Sequence, residues 1–344
     1  MRYLVVIVAL SVLVFIHELG HYLVARAFGM RVKVFSIGFG PVIARWRPKG
    51  SETLFQLAAI PVLAYVQIAG MSPSEAVDPH DRGSYQNASA LGRLFTIAAG
   101  PLANYLAASL IIFGVLFFGG VNRPVIGQIE PGSPAAVAGL RPNDVVLRVG
   151  DTAPSNFSEL IDAVQSSAGR PLAVRVRRGN EIVEARPAAR MDAERHQWRL
   201  GIRGSAAEAN EPVPLRLIVR QTLVAPARLT VEQVKAIGRM LRGRERPQMM
   251  GPVRIVYETA QVAQHSVRHA LDVFAIISLA LFFFNLLPVP ALDGGRMIFL
   301  GYEMLLRRKP SARFEERATT VSMMALLALS AVIFVNDIFN IVRH

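Results

Sequence analysis

The chain has 344 residues, 52% of them hydrophobic and 18% charged, with a mean hydropathy of +0.36. A soluble globular protein carries about 25% charged residues, so a disordered tail protein is excluded and a purely soluble enzyme is disfavoured. Cysteine is absent, which excludes disulfide scaffolds, thiolate-bound zinc, iron–sulfur clusters and thiol nucleophiles, and the formal charge of +13 is almost all arginine, an excess that in an apolar chain marks membrane-flanking loops rather than nucleic-acid binding.

The first apolar stretch runs from about Tyr3 to Ala25, long enough for the ~20 residues a helix needs to span a bilayer. Arg2 before it and Ala25-Arg26-Ala27 after it also fit a cleaved signal peptide, but that reading has no use for His17, Glu18 and His21 inside the apolar run. His17 and His21 fall on one helical face, a turn apart. Two imidazoles so placed can ligate one zinc ion, with Glu18 beside the metal-bound water as general base. Ionisable groups inside a span are costly and are functional candidates by default. Two plainer readings stay open at this point: a polar cluster that packs two helices, and a histidine pair that binds haem or relays protons.

Residues 29–90 carry Gly38-Phe39-Gly40-Pro41 and then the alternating Thr53-Leu54-Phe55-Gln56-Leu57. The pattern predicts short strands with turns. The apolar run from Leu57 to Met71 is broken by Pro61 and Gly70. The segment is expected to be a cytoplasmic-side re-entrant or interfacial β segment, since such backbone at membrane depth needs cover from protein or a water-filled cavity. A second spanning helix is expected within 91–120.

Residues 122–190 change character. Strand-like Val145–Val149 and Leu172–Val176 alternate with turns at Pro142-Asn143-Asp144 and Arg178-Gly179-Asn180. Phe157 to Ser166 places Leu160, Ile161 and Val164 on one helical face. This predicts a small soluble α/β domain of about 70 residues. Residues 191–266 are expected to be a linker with an amphipathic segment from Leu215 to Met240, bearing Arg216, Arg220, Arg228, Lys235 and Arg239. It reads as a surface helix or as a helix lying on lipid headgroups, the second being preferred.

A third span, about Ala270 to Leu287, runs into Asn285-Leu286-Leu287-Pro288-Val289-Pro290-Ala291-Leu292-Asp293-Gly294-Gly295. The prolines must unwind the helix, and the two glycines allow a tight turn or a close approach. Residues 267–298 are therefore taken as a third helix with an Asp-containing loop, 299–318 as a cytoplasmic loop and 319–344 as a fourth spanning helix. A catalytic zinc needs a third protein ligand. His80, His196, His265, His269 and His344 lie in loops, in the soluble part or near outer span ends, which leaves Asp293. An Asp-Gly pair is by itself an ordinary turn, but depth favours the pairing. His17 lies ~21 Å along its helix from Tyr3, toward the side on which the third span ends.

Orientation follows from Lys and Arg near the span ends. Residues 26–93 hold eight of them, and Arg307, Arg308, Lys309, Arg313 and Arg317 cluster in 307–317. Both loops are expected in the cytoplasm, with the soluble domain and both termini outside. The basic 216–246 stretch is an exception, and long translocated segments are largely exempt from the rule.

With these motifs in order, the chain resembles the site-2 protease family of intramembrane metalloproteases, in its bacterial PDZ-containing branch of the regulator of sigma-E protease type. His17-Glu18-x-x-His21 and Leu292-Asp293-Gly294 carry the resemblance. Gly100-Pro101-Leu102-Ala103-Asn104 and Gly251-Pro252-Val253-Arg254-Ile255 extend it. Gly132-Ser133-Pro134-Ala135-Ala136 with Gly139-Leu140-Arg141-Pro142-Asn143-Asp144 is similar to PDZ domains of bacterial members, although the chain has room for one such domain rather than a tandem pair.

The resemblance implies a polytopic α-helical membrane protein: four transmembrane helices, a membrane-associated β segment and one extracytoplasmic PDZ-like α/β domain. It implies that His17, His21 and Asp293 bind Zn2+ and that Glu18 activates water. Asn285 and Asn104 would contact substrate, where plainer roles are loop or cap hydrogen bonding for Asn285 and helix packing for Asn104. The implied enzyme is a zinc endopeptidase of the bacterial inner membrane, with its active site toward the cytoplasmic side. It would cut single-span membrane proteins, such as anti-sigma factors or remnant signal peptides, after an upstream site-1 protease. An edge strand in the 29–70 segment, with Thr53–Leu57 as its test region, would pair with the unwound substrate. The PDZ-like domain would recruit substrates or exclude large ones. The rival readings are a membrane-anchored PDZ adaptor with a non-catalytic metal site, against which Glu18 counts, and a transporter, for which internal repeats are missing.

Overall fold

A computed structural model describes residues 2–192, 197–243 and 251–343. The chain opens with α1 (Arg2–Ala27), β1 (Val32–Trp46), β2 (Leu54–Ile68), a short 3-10 turn and α2 (Ala90–Gly119). It continues through β3 (Val121–Ile129), α3 (Pro134–Val137), β4 (Val145–Val149), α4 (Phe157–Ser166), β5 (Val174–Arg178), β6 (Glu181–Ala185), β7 (Arg190–Asp192), β8 (Gln197–Arg199) and β9 (Ile202–Glu211). The rest is helical: α5 (Leu215–Leu241), α6 (Pro252–His265), α7 (Val267–Asn285), α8 (Asp293–Leu306) and α9 (Ala312–Arg343). Two compact units result, one of Met1–Phe113 with Arg220–His344 and one of Gly114–Val219.

In the first unit four helices are long and apolar enough to cross a membrane: Tyr3–Ala27, Ala90–Gly119, Val267–Asn285 and Ala312–Phe339. Leu4, Leu106, Leu110, Leu327 and Val332 stand on their outer faces, well exposed. Helices apolar all round belong in a protein core or a bilayer, and these have no core around them. Polar ties are few and specific. Arg93 of α2 makes a two-pronged pair with Glu303 of α8, both contacts at 2.9 Å. Asp337 of α9 is buried and accepts from the backbone N–H groups of Gly251 and Arg254 at 3.1 and 3.0 Å. It thereby closes the N-terminus of α6, whose own N-cap residue, Gly251, supplies no side chain.

β1 and β2 are longer than the short strands expected, 15 residues each, because both bend within their length. Gly38 and Gly40 adopt φ of 90° and 88°, conformations closed to most residues, and mark the bend in β1. Residues 34–37 are paired on one side with 64–67 and on the other with 54–57, and 55–57 pairs in turn with 44–46. The 53–57 segment therefore lies mostly inside the sheet, not at an edge as expected. One edge is formed by 64–68 and the other by 44–46, each with a strand on one side only among the described residues. Phe35 of this sheet packs edge-on against Phe15 and Tyr22 of α1, at 5.6 and 5.4 Å between ring centroids. This docks the sheet on the helix that carries the histidines.

The second unit holds a sheet in the order β6-β5-β4-β3-β9, with every neighbouring pair antiparallel. Ile126, Val146, Leu160, Val174, Val176 and Leu200 form its core. α4 spans the expected residues and buries Leu160 and Val164. Asp144 is buried, accepting from the Arg141 backbone at 2.8 Å and from the Arg178 guanidinium, which fixes the Pro142-Asn143-Asp144 turn. The linker expected over 191–266 is corrected: 202–211 is strand β9, which pairs along β3, and 252–265 is helix α6. Small and charged residues in 203–211 carry no strand pattern, and only the partner strand makes one of them. The loop expected over 299–318 is likewise mostly helix, since α8 continues to Leu306 with Leu300 buried. α7 begins at Val267, ahead of the apolar run, because Ser266 caps it by accepting from the His269 N–H at 3.3 Å.

Candidate metal centre

His17 and His21 share the inner face of α1, and both are buried. Asp293 reaches them because the helix after Asn285 is interrupted. Residues 286–292 are non-helical, and α8 starts at Asp293 itself. The glycines that follow are required for space. A Cβ on Gly294 would strike the Leu286 and Leu287 carbonyls, and one on Gly295 would lie 2.5 Å from Pro290 Cα. The first turn of α8 can therefore press onto the proline segment and hold Asp293 toward α1.

The ligand atoms form a nearly equilateral triangle. His17 Nε2 lies 3.1 Å from Asp293 Oδ2, His21 Nε2 lies 3.3 Å from the same oxygen, and the two Nε2 atoms are 3.2 Å apart. Three ligands at ~2.0–2.1 Å from a tetrahedral zinc ion stand ~3.3 Å from one another, so the donor set matches one face of that tetrahedron. Asp293 Oδ2 is buried without a well-directed hydrogen-bond donor, as suits an oxygen reserved for a cation. Three protein ligands leave a fourth position free, the arrangement of catalytic rather than structural zinc. Glu18 lies in the electrostatic field of all three ligands, and the Val66 backbone at the sheet edge hydrogen-bonds to its carboxylate.

α2 supplies the surroundings from one face, at residues 96, 100 and 104, four apart. The Thr96 carbonyl is 2.7 Å from His21 Nδ1. A carbonyl only accepts, so this nitrogen carries the proton and Nε2 is left bare for a metal. Gly100 makes room: a Cβ there would lie 2.5 Å from His21 Cε1 and 2.8 Å from His17 Nε2. The Asn104 side-chain amide is fully buried 3.1 Å from His17 Nδ1. Thr96 and Gly100 were not assigned roles by sequence reasoning. The one signal for Gly100 is the Gly-Pro-x-x-Asn pattern inside a span, and a backbone carbonyl such as that of Thr96 leaves no sequence signal.

The structure thus brings His17, Glu18, His21 and Asp293 together. Asn285 is not part of this cluster: its amide donates to the Leu281 carbonyl at 2.9 Å on its own helix. Asn104, expected to contact substrate, is fully buried beside His17.

Comparison with known proteins agrees with this geometry. The sequence profile described as Peptidase family M50 matches residues 5–329. Three similar proteins bear the name "putative zinc metalloprotease". One from Nostoc sp. is 30% identical over 98% of this chain and 96% of its own length. One from Mesorhizobium japonicum is 31% identical over 96% of each. One from Agrobacterium fabrum is 31% identical over 98% of this chain and 95% of its own.

Proposed function

We propose, from the premise that this chain belongs to peptidase family M50 and is a multi-pass zinc metallopeptidase, that its substrates are the membrane-spanning segments of other proteins. The observation that supports this reading is where the donor set is carried: two ligands inside α1 and the third just after α7, both helices long and apolar enough to cross a membrane. A hydrolytic centre built there meets peptide bonds that a peptidase working in water does not reach.

His17, His21 and Asp293 would hold the zinc, which supplies Lewis acidity toward a scissile carbonyl and lowers the pKa of water. Glu18 takes the proton of the attacking water on its carboxylate and returns it to the departing amide nitrogen. A helical substrate has its carbonyls shielded by its own hydrogen bonds and must unwind first, exposing backbone groups at a cost of several kcal/mol each in apolar surroundings. The sheet edge at 64–68 offers replacement partners by strand addition, beside Glu18. Residues 121–211 would form the PDZ-like domain outside the cytoplasm, with the active site toward the cytoplasmic side of a bacterial inner membrane. An upstream site-1 protease would prepare the single-span substrates.

The test uses the full chain in liposomes with a single-span substrate, comparing wild type with Glu18→Gln. Cleavage is expected to fall about 10²- to 10⁴-fold, the usual contribution of a general base, with bound zinc unchanged. Equal cleavage by both proteins would remove Glu18 from the mechanism. No cleavage by wild type across several spanning substrates, with zinc bound, would leave the adaptor reading in its place.

A further inference from the structure

Both zinc-facing imidazoles have their second nitrogen turned toward α2, but the two partners differ in kind. His21 Nδ1 meets a backbone carbonyl, which can only accept. His17 Nδ1 lies 3.1 Å from the side-chain nitrogen of Asn104, but the two ends of an amide exchange on a half-turn, so the group can accept through its oxygen or donate through its nitrogen. The choice has a consequence at the far side of the ring. If the amide donates, Nδ1 must be bare and the proton sits on Nε2, the atom 3.1 Å from Asp293 Oδ2 and 3.2 Å from His21 Nε2. A protonated Nε2 cannot ligate a metal. If the amide oxygen faces Nδ1, the proton is held there and Nε2 is bare.

We infer that Asn104 is a positioning residue of the metal centre: its side-chain oxygen accepts the Nδ1 proton of His17, setting the tautomer and ring orientation that zinc requires. This rests on the assignment of His17 as a ligand. Three further features support it. The Asn104 side chain is fully buried, so water does not compete for the amide. Its Oδ1 has no hydrogen-bond partner where it stands, and turning the amide over brings it to His17 Nδ1. The backbone beneath it is held by Ser278 of α7, whose hydroxyl donates to the Asn104 carbonyl at 2.8 Å. Partners of this kind fix a ligand's rotation and raise its basicity.

The experiment measures zinc affinity of the full chain in detergent by chelator competition, with the absorption spectrum of the cobalt-substituted protein as a second readout. Asn104→Leu keeps the volume and apolar packing of the site but removes the acceptor. It is expected to weaken zinc binding about 10- to 100-fold and to alter the cobalt spectrum. Asn104→Asp, once ionised, can only accept, and should bind zinc within a few-fold of wild type. Ser109→Ala, which removes a hydrogen bond to the Tyr105 carbonyl elsewhere on α2 and touches neither Asn104 nor His17, should bind as wild type does. If Asn104→Leu does not fold, Asn104→Ala takes its place. Wild-type affinity in the Leu or Ala variant overturns the inference, as does an Asp variant no better than Leu, which would mean donation or mere packing. His17→Ala separates the levels: if it binds zinc like wild type, the ligand assignment itself has failed.

Discussion

Gly100 shows how little latitude the centre has at the residue scale. It is the one position on the facing surface of α2 where a methyl group would run into both imidazoles. Helix propensity would favour alanine there by about 1 kcal/mol, so glycine is present for space. Gly100→Ala is expected to force the rings apart and to lower zinc affinity and peptidase activity together, at least 10-fold by analogy with lost supporting contacts. Metal content after dialysis and cleavage of a spanning substrate measure this, and an Ala variant with full zinc and full activity would refute the crowding argument. The Arg93–Glu303 pair is a second residue-scale device. Its hydrogen bonds from Arg93 hold the Glu303 carboxyl below the ordinary carboxylate value of 4.5. A carboxyl with a lowered folded pKa contributes stability that is complete above the unfolded value and is lost as pH falls through the folded value. Glu303→Gln should lower stability at neutral pH by about 1–3 kcal/mol, between the values for exposed and fully buried pairs. The gap in thermal midpoint from wild type should begin to narrow as pH falls below that ordinary value and close as it passes the lower folded value. A gap that widens in acid would contradict the assignment.

Among the elements, the β1–β2 sheet connects fold to chemistry. Its bends place 53–57 largely in the interior and 64–68 at the edge beside Glu18. Proline at the edge removes an outward-facing N–H but no ladder bond, whereas proline inside removes a ladder bond and the strand with it. Val66→Pro also removes the backbone contact to Glu18, so Ala64→Pro, two residues along the same edge, is the cleaner variant: both are expected to keep zinc and fold while losing at least about 10-fold in cleavage of a spanning substrate, the size of one lost hydrogen bond near 1.4 kcal/mol. Phe55→Pro should instead lose thermal stability. An Ala64→Pro enzyme that cuts at the wild-type rate would exclude strand addition at this edge. α8 is the other element with a task. It begins on the metal ligand, and the close approach of its glycines to the proline segment sets where that ligand stands.

At the scale of the whole molecule the open question is sidedness. Basic residues cluster in 26–93 and 307–317, and such loops stay in the cytoplasm. The chain has no cysteine of its own, so single introduced cysteines report without background. With Asn180→Cys, an impermeant maleimide should label intact spheroplasts. With Lys309→Cys it should label only after lysis. The reverse pattern would invert the orientation and put the metal centre nearer the outer face.

Much of this was legible in the linear chain for identifiable reasons. Spans of apolar residues announce helices in lipid because an unsatisfied backbone has no alternative there. His17, Glu18 and His21 announce themselves because spacing of four on a helix is a geometric statement and charge in a span is costly. Asp293 followed from the lack of another histidine at the right place and from its depth after the proline-broken third span. The sequence by itself thus determined the spanning helices and the ligand types, and singled out Glu18 as the candidate general base. Tertiary structure decided the rest. β9 is a strand only because β3 lies beside it, and 53–57 is interior only because the sheet bends back on itself. Thr96 acts through a carbonyl that every residue possesses, and Asn104 meets His17 across two helices. Each of these depends on partners distant in the chain, and periodicity within a segment carries no record of what will be packed against it.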